Sequence, residues 1–268
     1  MSTQNSIFDF DISDNRINAK NSGHYHDSFE IYYLTSGECR YFIDKKTYKL
    51  TEGDIVVIPP GIIHNTFYES DLHTRILINC SGDYIPPSVL KNIKNLVYVM
   101  QTHDTAKRIE SIYKRIQKAI EEPDEYTEDS VICYVMSLLL TIARTSTDEY
   151  KVKTGSPFIE KAVYYIRKNY TKKLTLSETA KYCAVSAEHL SRAFKKETGF
   201  GFNEYLNIYR LKKAEALLKG TEKKTIAEIA YRCGFNDSNY FSTAYKNMYN
   251  ISPSKVRRQN ETEYDDVL

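Results

Sequence analysis

Residues 175–186 read TLSETAKYCAVS and residues 225–236 read TIAEIAYRCGFN, so one pattern occurs twice in the chain. Thr, Glu, Ala and Cys recur in the two copies at an offset of 50 residues. Each copy opens with Thr-x-x-Glu, the capping-box pattern of a helix N-terminus, and continues with apolar residues at helical spacing. A short turn and a second capped helix follow in both copies. The repeat therefore predicts two helix-turn-helix modules, at about 175–198 and 225–249.

The second helix of each predicted module has an apolar face and a polar face. In the first module Leu190 and Phe194 share the apolar stripe, and Arg192 lies on the opposite side. Such a helix fits the major groove of DNA, where Arg192 can bond a guanine edge and Asn239 an adenine edge. The alternative is that the polar faces of both helices only contact solvent. Because the two faces lie at matched positions of a repeat, the pattern favours DNA contact. The candidate contacts are Glu188, Ser191, Arg192, Lys195, Lys196, Ser238, Asn239, Ser242, Thr243, Lys246 and Arg257.

Charge is distributed unevenly along the chain. The chain has 37 Lys and Arg residues and 35 Asp and Glu residues. Residues 156–259 contain 20 of the basic and 9 of the acidic residues, which gives this part a net charge of +11. The rest of the chain contains 17 basic and 26 acidic residues, a net charge of −9. Only the basic part suits a polyanion, because neutralised phosphates release their counterions on binding.

The region from about Ile159 to Arg257 resembles the DNA-binding domain of the AraC/XylS family of bacterial transcription regulators. The resemblance rests on LSRAFKKETG at 190–199, IAEIA at 226–230, GFND at 234–237, YF at 240–241 and the spacing of Pro253 and Arg257. The chain has Thr243 where the family usually has Arg and Asn250 where it usually has Gly. Asn tolerates the left-handed backbone of a helix C-terminus, so we expect Asn250 to end the helix as Gly would. The loss of Arg at position 243 removes a phosphate or base donor, so we expect the second module to read DNA less strongly. The resemblance implies a transcription activator that binds double-stranded promoter DNA and contacts RNA polymerase.

Residues 25–80 predict short β-strands. Segments rich in β-branched and aromatic residues are separated by Gly37, by Gly53 and by the PPG sequence at 59–61; they span 29–34, 39–43, 47–50, 54–58 and 74–79. Such spacing is typical of an antiparallel β-barrel or jelly roll. The chain is therefore predicted to be an α+β protein of two domains. An N-terminal barrel with a helical pair precedes a C-terminal all-α domain with two helix-turn-helix modules.

Two motifs in this β-rich part, HYHDSFE at 24–30 and GDIVVIPPGIIH at 53–64, resemble those of the cupin superfamily. The resemblance covers about residues 23–79. The chain departs from the superfamily at two positions. It has Asn18 where the superfamily's first motif opens with Gly, and Tyr68 where the superfamily's second motif closes with Asn. In cupin enzymes the matching positions hold a divalent metal, and all four are present here as His24, His26, Glu30 and His64.

Two interpretations of these four residues stay open. Three imidazoles and a carboxylate suit iron, manganese, nickel or zinc, which would make the chain a metal-dependent cupin enzyme tethered to DNA. In the cupin-like sensor domains of AraC-type regulators, such residues line a ligand pocket or bridge strands. The fusion to a DNA-binding domain favours a sensor, so we expect no catalysis and no cofactor. We assign His24, His26, Glu30 and His64 to an effector, and relatives with such a barrel imply a sugar or a sugar derivative.

Two helices are predicted between the barrel and the C-terminal domain. Residues 104–121 carry an apolar stripe from Ile109 to Ile120, and residues 130–143 are apolar on nearly all sides but too short to span a bilayer. We expect an antiparallel pair that either presents a dimerisation face or folds back on the barrel. The predicted bounds are 1–103 for the barrel, 104–143 for the helical pair, 144–156 for a linker and 157–258 for the DNA-binding domain.

The chain is expected to be a cytoplasmic homodimer without membrane contact. It opens with MSTQN and lacks the basic-then-apolar run of a signal peptide. Its five cysteines are scattered and odd in number, which fits a reducing compartment. These observations predict a ligand-responsive, sequence-specific transcription regulator, not an enzyme.

Overall fold

The computed structural model describes residues 8–14, 26, 28–68, 73–93, 98–101, 105–144, 155–220 and 224–265. The chain divides into two compact units, Met1–Thr154 and Gly155–Leu268. In the described residues the first unit holds the strands and three helices, and the second is helical. The prediction of a β-rich domain followed by a helical domain is therefore confirmed. His24, one of the four residues predicted to bind an effector, lies outside the described residues.

The strands of the first unit form two antiparallel sheets, with the orders β1-β7-β2-β5-β8 and β4-β3-β6. They are β1 (Phe8–Asp14), β2 (Phe29–Ser36), β3 (Glu38–Ile43), β4 (Lys46–Thr51), β5 (Asp54–Ile58), β6 (His64–Tyr68), β7 (Thr74–Cys80) and β8 (Tyr98–Gln101). Strands β1, β6 and β8 have no counterpart in the sequence prediction. Among the described residues the two sheets stay separate, so the antiparallel strands are found and the closure into one hydrogen-bonded barrel is not.

Strand β2 lies at the centre of the larger sheet and is buried on both of its faces. Its residues from Phe29 to Leu34 are all buried, which alternating side chains allow only when both faces of a strand are covered. Tyr32 packs with Tyr41 of the smaller sheet, their ring centroids 5.1 Å apart. Tyr33 points the other way, into the core between this sheet and the helices.

Three helices cover that second face: α1 (Pro87–Ile93), α2 (Ala106–Glu121) and α3 (Thr127–Arg144). The predicted stripe of α2 is buried from Ile109 to Ile116 in the same cluster as Tyr33, whereas its last member, Ile120, is 40% exposed. The ring of Tyr113 stacks on that of Tyr33, with centroids 5.0 Å apart and planes 5° from parallel. Of the two predicted arrangements, the helices have the one that folds back on the sheet. The Ile109 stripe is therefore a core element and not a dimerisation face.

The second unit is built from α4 (Pro157–Asn169), α5 (Leu176–Cys183), α6 (Ala187–Thr198), α7 (Phe202–Leu218), α8 (Ile226–Arg232), α9 (Ser238–Tyr249) and α10 (Pro253–Asp265). Helices α5 and α8 begin with the predicted capping boxes, at Thr175 and Thr225. Helix α6 ends at Gly199 and α9 at Asn250, both with left-handed backbone, so Asn250 takes the role of the expected glycine. None of the described helices is long and apolar enough to cross a bilayer.

Helix α7 begins at Phe202. The carboxylate of Glu204 accepts the N–H of Gly201 at 2.9 Å and caps the helix there. Its buried residues then run from Phe202 to Leu218, so α7 lies between the two helix pairs α5–α6 and α8–α9 and contacts α6, α8 and α9.

One side chain of α7 joins the two helix pairs. Arg210 donates from Nε to the carbonyl oxygen of Tyr170 and from Nη2 to that of Lys172, both at 2.8 Å. Its guanidinium also lies over the ring of Phe235, 5.8 Å from the centroid. Beside it, Gly234 has a φ of 85°, and a Cβ there would lie 2.3 Å from the carbonyl oxygen of Tyr170. The turn between α8 and α9 is therefore held against the loop that precedes α5.

We expect Gly234→Ala to lower the free energy of unfolding by about 3 kcal/mol or more, because the new Cβ would meet backbone at a left-handed φ. Gly201→Ala is the matched control, since Gly201 has a φ of −66° and its added Cβ would lie 3.8 Å from the nearest atom. The control should lose less than about 1 kcal/mol. Urea denaturation followed by circular dichroism measures both, and equal losses would contradict the role of Gly234.

Candidate functional site

The outer face of α6 carries the first set of predicted DNA contacts. All five are exposed, above the buried Leu190 and Phe194: Glu188, Ser191, Arg192, Lys195 and Lys196. The guanidinium of Arg192 lies 3.6 Å from the carboxylate of Glu188, one turn earlier on the helix. Both side chains are exposed, so this ion pair is weak and Arg192 can turn to another acceptor.

The outer face of α9 is less uniform. Asn239, Thr243 and Lys246 are exposed, in agreement with the predicted orientation. Ser242 is half-buried, and its hydroxyl donates to the carbonyl oxygen of Ser238 at 2.8 Å. That proton is used within the helix, so the side chains of this face offer fewer free donors than those of α6.

Arg257 lies on α10 and not on the outer face of α9. Hydrogen bonds from Thr225 lower the pKa of Glu228, and the nearby positive charge of Arg257 adds to this effect. The structure therefore places Arg257 near the start of α8, so a phosphate contact of Arg257 would come from a different helix than those of α9.

Tyr240 is a surface residue of α9 for which the sequence analysis named no role. Its side chain is 54% exposed, and its hydroxyl accepts a hydrogen bond from Nδ2 of Asn207 at 3.0 Å. Because Asn207 belongs to α7, this bond fixes the first turn of α9 to the central helix. The signal in the sequence was an aromatic residue next to the buried Phe241, on the polar side of a capped helix.

A second candidate site lies inside the first unit, where two histidines approach a buried carboxylate. Glu30 is on β2, His64 begins β6 and His26 precedes β2. The Nε2 atoms of His26 and His64 lie 3.1 and 3.4 Å from the same oxygen, Oε2 of Glu30. The two imidazoles meet edge to face with centroids 5.1 Å apart. The structure thus brings together three of the four residues predicted for the effector, and these three are called the histidine cluster below.

Both imidazoles are oriented by hydrogen bonds at their other nitrogen. Nδ1 of His26 lies 2.9 Å from the carbonyl oxygen of Ser28, and Nδ1 of His64 lies 2.7 Å from that of Ile62. Because a carbonyl oxygen can only accept, these two contacts are hydrogen bonds when Nδ1 carries a proton. Nδ1 of His26 also lies 3.0 Å from the hydroxyl of Ser28, which can donate or accept. With Nδ1 protonated, each Nε2 faces Glu30 with a lone pair when the ring is neutral and with a proton when it is charged.

The carboxylate of Glu30 is 2% exposed, and its Oε1 accepts a hydrogen bond from the hydroxyl of Tyr41 on β3. Burial by itself raises the pKa of Glu30, but attraction to His64 and hydrogen bonds from both histidines hold it well below its usual range. Burial lowers the pKa of His64, and the carboxylate outweighs it, so that pKa is raised. Tyr41 was missed by the sequence analysis, although its inward position on the predicted strand 39–43 places it here.

The histidine cluster has a donor set that could hold a divalent cation. One ligand atom each from His26, Glu30 and His64 lie within 4.8 Å of one another. Hydrogen bonds from Nδ1 to backbone carbonyls fix the tautomer that leaves Nε2 for a metal. The same carboxylate and imidazoles could instead bond the hydroxyl groups of a polar ligand. The residues present fit both kinds of occupant.

Tyrosine side chains extend the interior beyond the cluster. The hydroxyl of Tyr32 lies 3.4 Å from that of Tyr68 and 3.5 Å from Sγ of Cys39. The ring of Tyr68 stacks on His73 with centroids 3.6 Å apart. The interior between the sheets therefore combines aromatic rings with hydroxyl groups.

Comparison with known proteins gives two family matches. Residues 12–127 match an AraC-like ligand binding domain, and residues 179–259 match a helix-turn-helix domain. The first match contains the histidine cluster and α2, and the second contains α6 to α9.

Characterised relatives are similar over most of the chain. The HTH-type transcriptional activator RhaS of Mannheimia succiniciproducens is 29% identical over 244 residues, which is 87% of this chain and 88% of that protein. The Msm operon regulatory protein of Streptococcus mutans is 26% identical over 87% of this chain and 85% of its own length. Among solved structures, the C-terminal domain of AraT, a response regulator from Geobacillus stearothermophilus, is 39% identical over 39% of this chain and 86% of that chain, with a TM-score of 0.37.

Proposed function

Because the chain belongs to the AraC family of transcription regulators, we propose that it activates transcription by binding specific promoter DNA under the control of a small-molecule effector. One observation carries the proposal: α6 and α9 present exposed polar faces at matched positions of a repeat, on the basic part of the chain. The names of two relatives that align along most of the chain, a transcriptional activator and an operon regulatory protein, support it.

We assign α5–α6 and α8–α9 to two helix-turn-helix modules whose second helices enter the major groove. Helix α7 has 17 residues and is about 25 Å long at about 1.5 Å per residue. With the widths of the modules added, this length is compatible with successive major grooves about 34 Å apart. Arg210 and Gly234 hold the modules together, so both helices would engage one duplex as a unit.

Base readout is assigned mainly to α6. Arg192 can form two hydrogen bonds to guanine, and Glu188 can accept from N4 of cytosine. On α9, Asn239 can read adenine, but Thr243 is short and the hydroxyl of Ser242 already donates within the helix. The lysines of both helices are assigned to phosphates, which set the register on the duplex without reading its sequence.

Arg192→Ala is expected to weaken binding to the preferred duplex by about 1–3 kcal/mol and to relax the preference at one or two base positions. Lys196→Ala is the matched control, and it should weaken binding to all duplexes alike and flatten the salt dependence. Fluorescence anisotropy with a duplex selected from a random library, and with its scrambled version, measures both effects. An equal loss on the two duplexes for Arg192→Ala would make Arg192 a phosphate contact.

The effector site is assigned to the histidine cluster, to which we add Tyr41. His24 belongs to this assignment on the sequence alone. A carboxylate and two imidazoles can bond several hydroxyl groups, and tyrosine rings can cover the apolar face of a sugar ring. A sugar or sugar-derived effector is therefore the class that these groups fit.

The double variant His26→Ala, His64→Ala is expected to lose the response to the effector and to keep basal DNA binding, because the cluster is remote in sequence from α6 and α9. Removing both rings leaves Glu30 short of two partners at a cost of about 1–3 kcal/mol each, so thermal melting must be measured beside reporter induction. A folded double variant with wild-type induction would exclude the cluster as the effector site.

A second candidate function, favoured by the ligand distances of the histidine cluster, is the binding of a divalent metal ion. His26, Glu30 and His64 would hold the ion, which would supply a Lewis acid for an oxygen of the effector or of a substrate. A metal-binding cupin-type domain is the alternative to a metal-free sensor. The chain would be an enzyme only if the metal-bound protein also turned over a small molecule.

The metal candidate predicts that Zn²⁺, Mn²⁺ or Ni²⁺ raises the thermal midpoint of metal-stripped protein and remains near one ion per chain after dialysis. Glu30→Gln should abolish both effects. Glu38→Gln is the control, because Glu38 is an exposed carboxylate of the same unit that pairs with Lys49 at 2.7 Å. A midpoint that no ion changes, together with metal-free protein after dialysis, would leave only the metal-free sensor.

We further propose that the chain acts as a homodimer and contacts RNA polymerase at the promoter. Because the Ile109 stripe is buried, the dimer surface is assigned to the outer face of α3. Side chains there are exposed or half-exposed and follow one another at three or four residues along one face of the helix; this seam consists of Asp129, Cys133, Met136, Leu140 and Arg144, of which Met136 also packs against the core of the unit. Two antiparallel copies of α3 that cross between Met136 and Ser137 would set Asp129 against Arg144 and Cys133 against Leu140. Both pairs face each other in this register because the midpoint of each pair along the helix lies at the crossing point.

Oxidative cross-linking tests this seam. All five cysteines lie in the described part of the chain, and Cys133 is the exposed one. In an antiparallel pair Cys133 faces Leu140 of the second copy, so Leu140→Cys should give a reducible dimer on mild oxidation, whereas the wild type should not. Leu140→Cys combined with Cys133→Ser is the control and should remain uncross-linked. Cross-linking of the wild type through Cys133 would indicate a parallel pair and contradict the proposed seam.

A further inference from the structure

The first turn of α4 holds α6 near both of its ends. At the start of α6, the ring of His189 packs against Phe158 with centroids 5.2 Å apart. At its end, the carboxylate of Glu197 accepts two hydrogen bonds from Ser156. The N–H of Ser156 donates to Oε2 at 2.7 Å and its hydroxyl donates to Oε1 at 2.5 Å. Ser156 is the N-cap residue of α4 and the second residue of the helical unit.

These bonds take the place of the usual N-cap bond. An N-cap serine accepts from an N–H in the first turn of its own helix, and the side chain of Ser156 makes no such bond. Its two donors go to Glu197, and bonds to a carboxylate are stronger than bonds between neutral groups. The end of α6 is itself stiff, because the hydroxyl of Thr198 donates to the carbonyl of Phe194 at 2.7 Å and accepts the N–H of Phe200 at 3.1 Å.

The residues that meet α4 form a stripe of their own on α6. They are His189 and Glu197, which lie eight residues or about two turns apart, beside the outer stripe that carries Arg192. A helix held along one stripe cannot turn about its axis without breaking these contacts. The first turn of α4 therefore sets the direction in which α6 presents Arg192.

We propose that Glu197 is a positioning residue for DNA reading, which through Ser156 connects the chain arriving from the ligand-binding unit to the recognition helix α6. A displacement of the chain ahead of Ser156 acts on Glu197 and turns the face that carries Arg192. The inference rests on the proposed function above and adds to it a route of control. Neither Glu197 nor Ser156 is assigned a DNA contact.

The test uses the full chain, a duplex that the wild type selects from a random library, and a scrambled duplex. Glu197→Ala is expected to lower the ratio of the two affinities about tenfold, the size of a lost charge-assisted bond, and to leave the affinity for scrambled DNA and its salt dependence unchanged. Glu197→Gln keeps an acceptor for the N–H of Ser156 and a donor for its hydroxyl, so it should restore the wild-type ratio. Glu160→Ala removes the same charge from the first turn of α4 and should leave the ratio unchanged.

Amide hydrogen exchange at Ser156 reports directly on the hydrogen bond from its N–H to Glu197. The exchange should accelerate in Glu197→Ala but not in Glu197→Gln. If Glu197→Ala fails to fold, Ser156→Ala removes one of the two bonds and should lower the ratio about threefold. A variant with a lower thermal midpoint and a wild-type ratio would show that Glu197 is only a structural cap, which overturns the inference. A wild-type chain that selects no duplex would instead overturn the proposed function, so the two failures are distinct.

Discussion

The two hydrogen bonds of Arg210 and the missing side chain of Gly234 are the constraint on which the helical unit depends. Capping boxes start α5, α7 and α8 locally, but a cap fixes no angle between one helix and the next. The guanidinium fixes that angle because it reaches backbone carbonyls of the loop before α5 and covers the ring of Phe235 in the turn before α9. If α6 and α9 bind DNA as proposed, their two faces would form one binding surface because their relative orientation is set in this way.

In the first unit, β2 performs the corresponding task. On one face of β2, Glu30 belongs to the histidine cluster. On the other face, the ring of Tyr33 stacks on that of Tyr113 of α2. A strand buried on both faces cannot shift toward one layer without moving in the other, because close-packed interiors leave no free volume. An occupant that draws on Glu30 therefore acts on α2 as well, and through it on α3, which carries the seam assigned to the dimer.

The features that the sequence predicted are local ones. The capping boxes at Thr175 and Thr225, the left-handed C-cap at Asn250 and the outward direction of Arg192 depend on residues within one or two turns. What it missed depends on distant partners: β1 and β8 are edge strands defined by their neighbours, and the amphipathic α2 indicates an apolar partner without saying which. The histidine cluster lies between these cases, since its motifs identified the imidazoles while the hydroxyl that completes Glu30, that of Tyr41, comes from another strand.

The alternation of side chains along β2 has a consequence for how this unit can change over generations. Glu30, Tyr32 and Leu34 face the smaller sheet, whereas Phe29, Ile31 and Tyr33 face the helical layer. If the effector binds at the histidine cluster as proposed, substitutions that suit a new effector would fall on one face of the strand, while the residues between them would keep their packing against the helices. Ligand preference would then be set at positions that alternate with those that hold the helical layer.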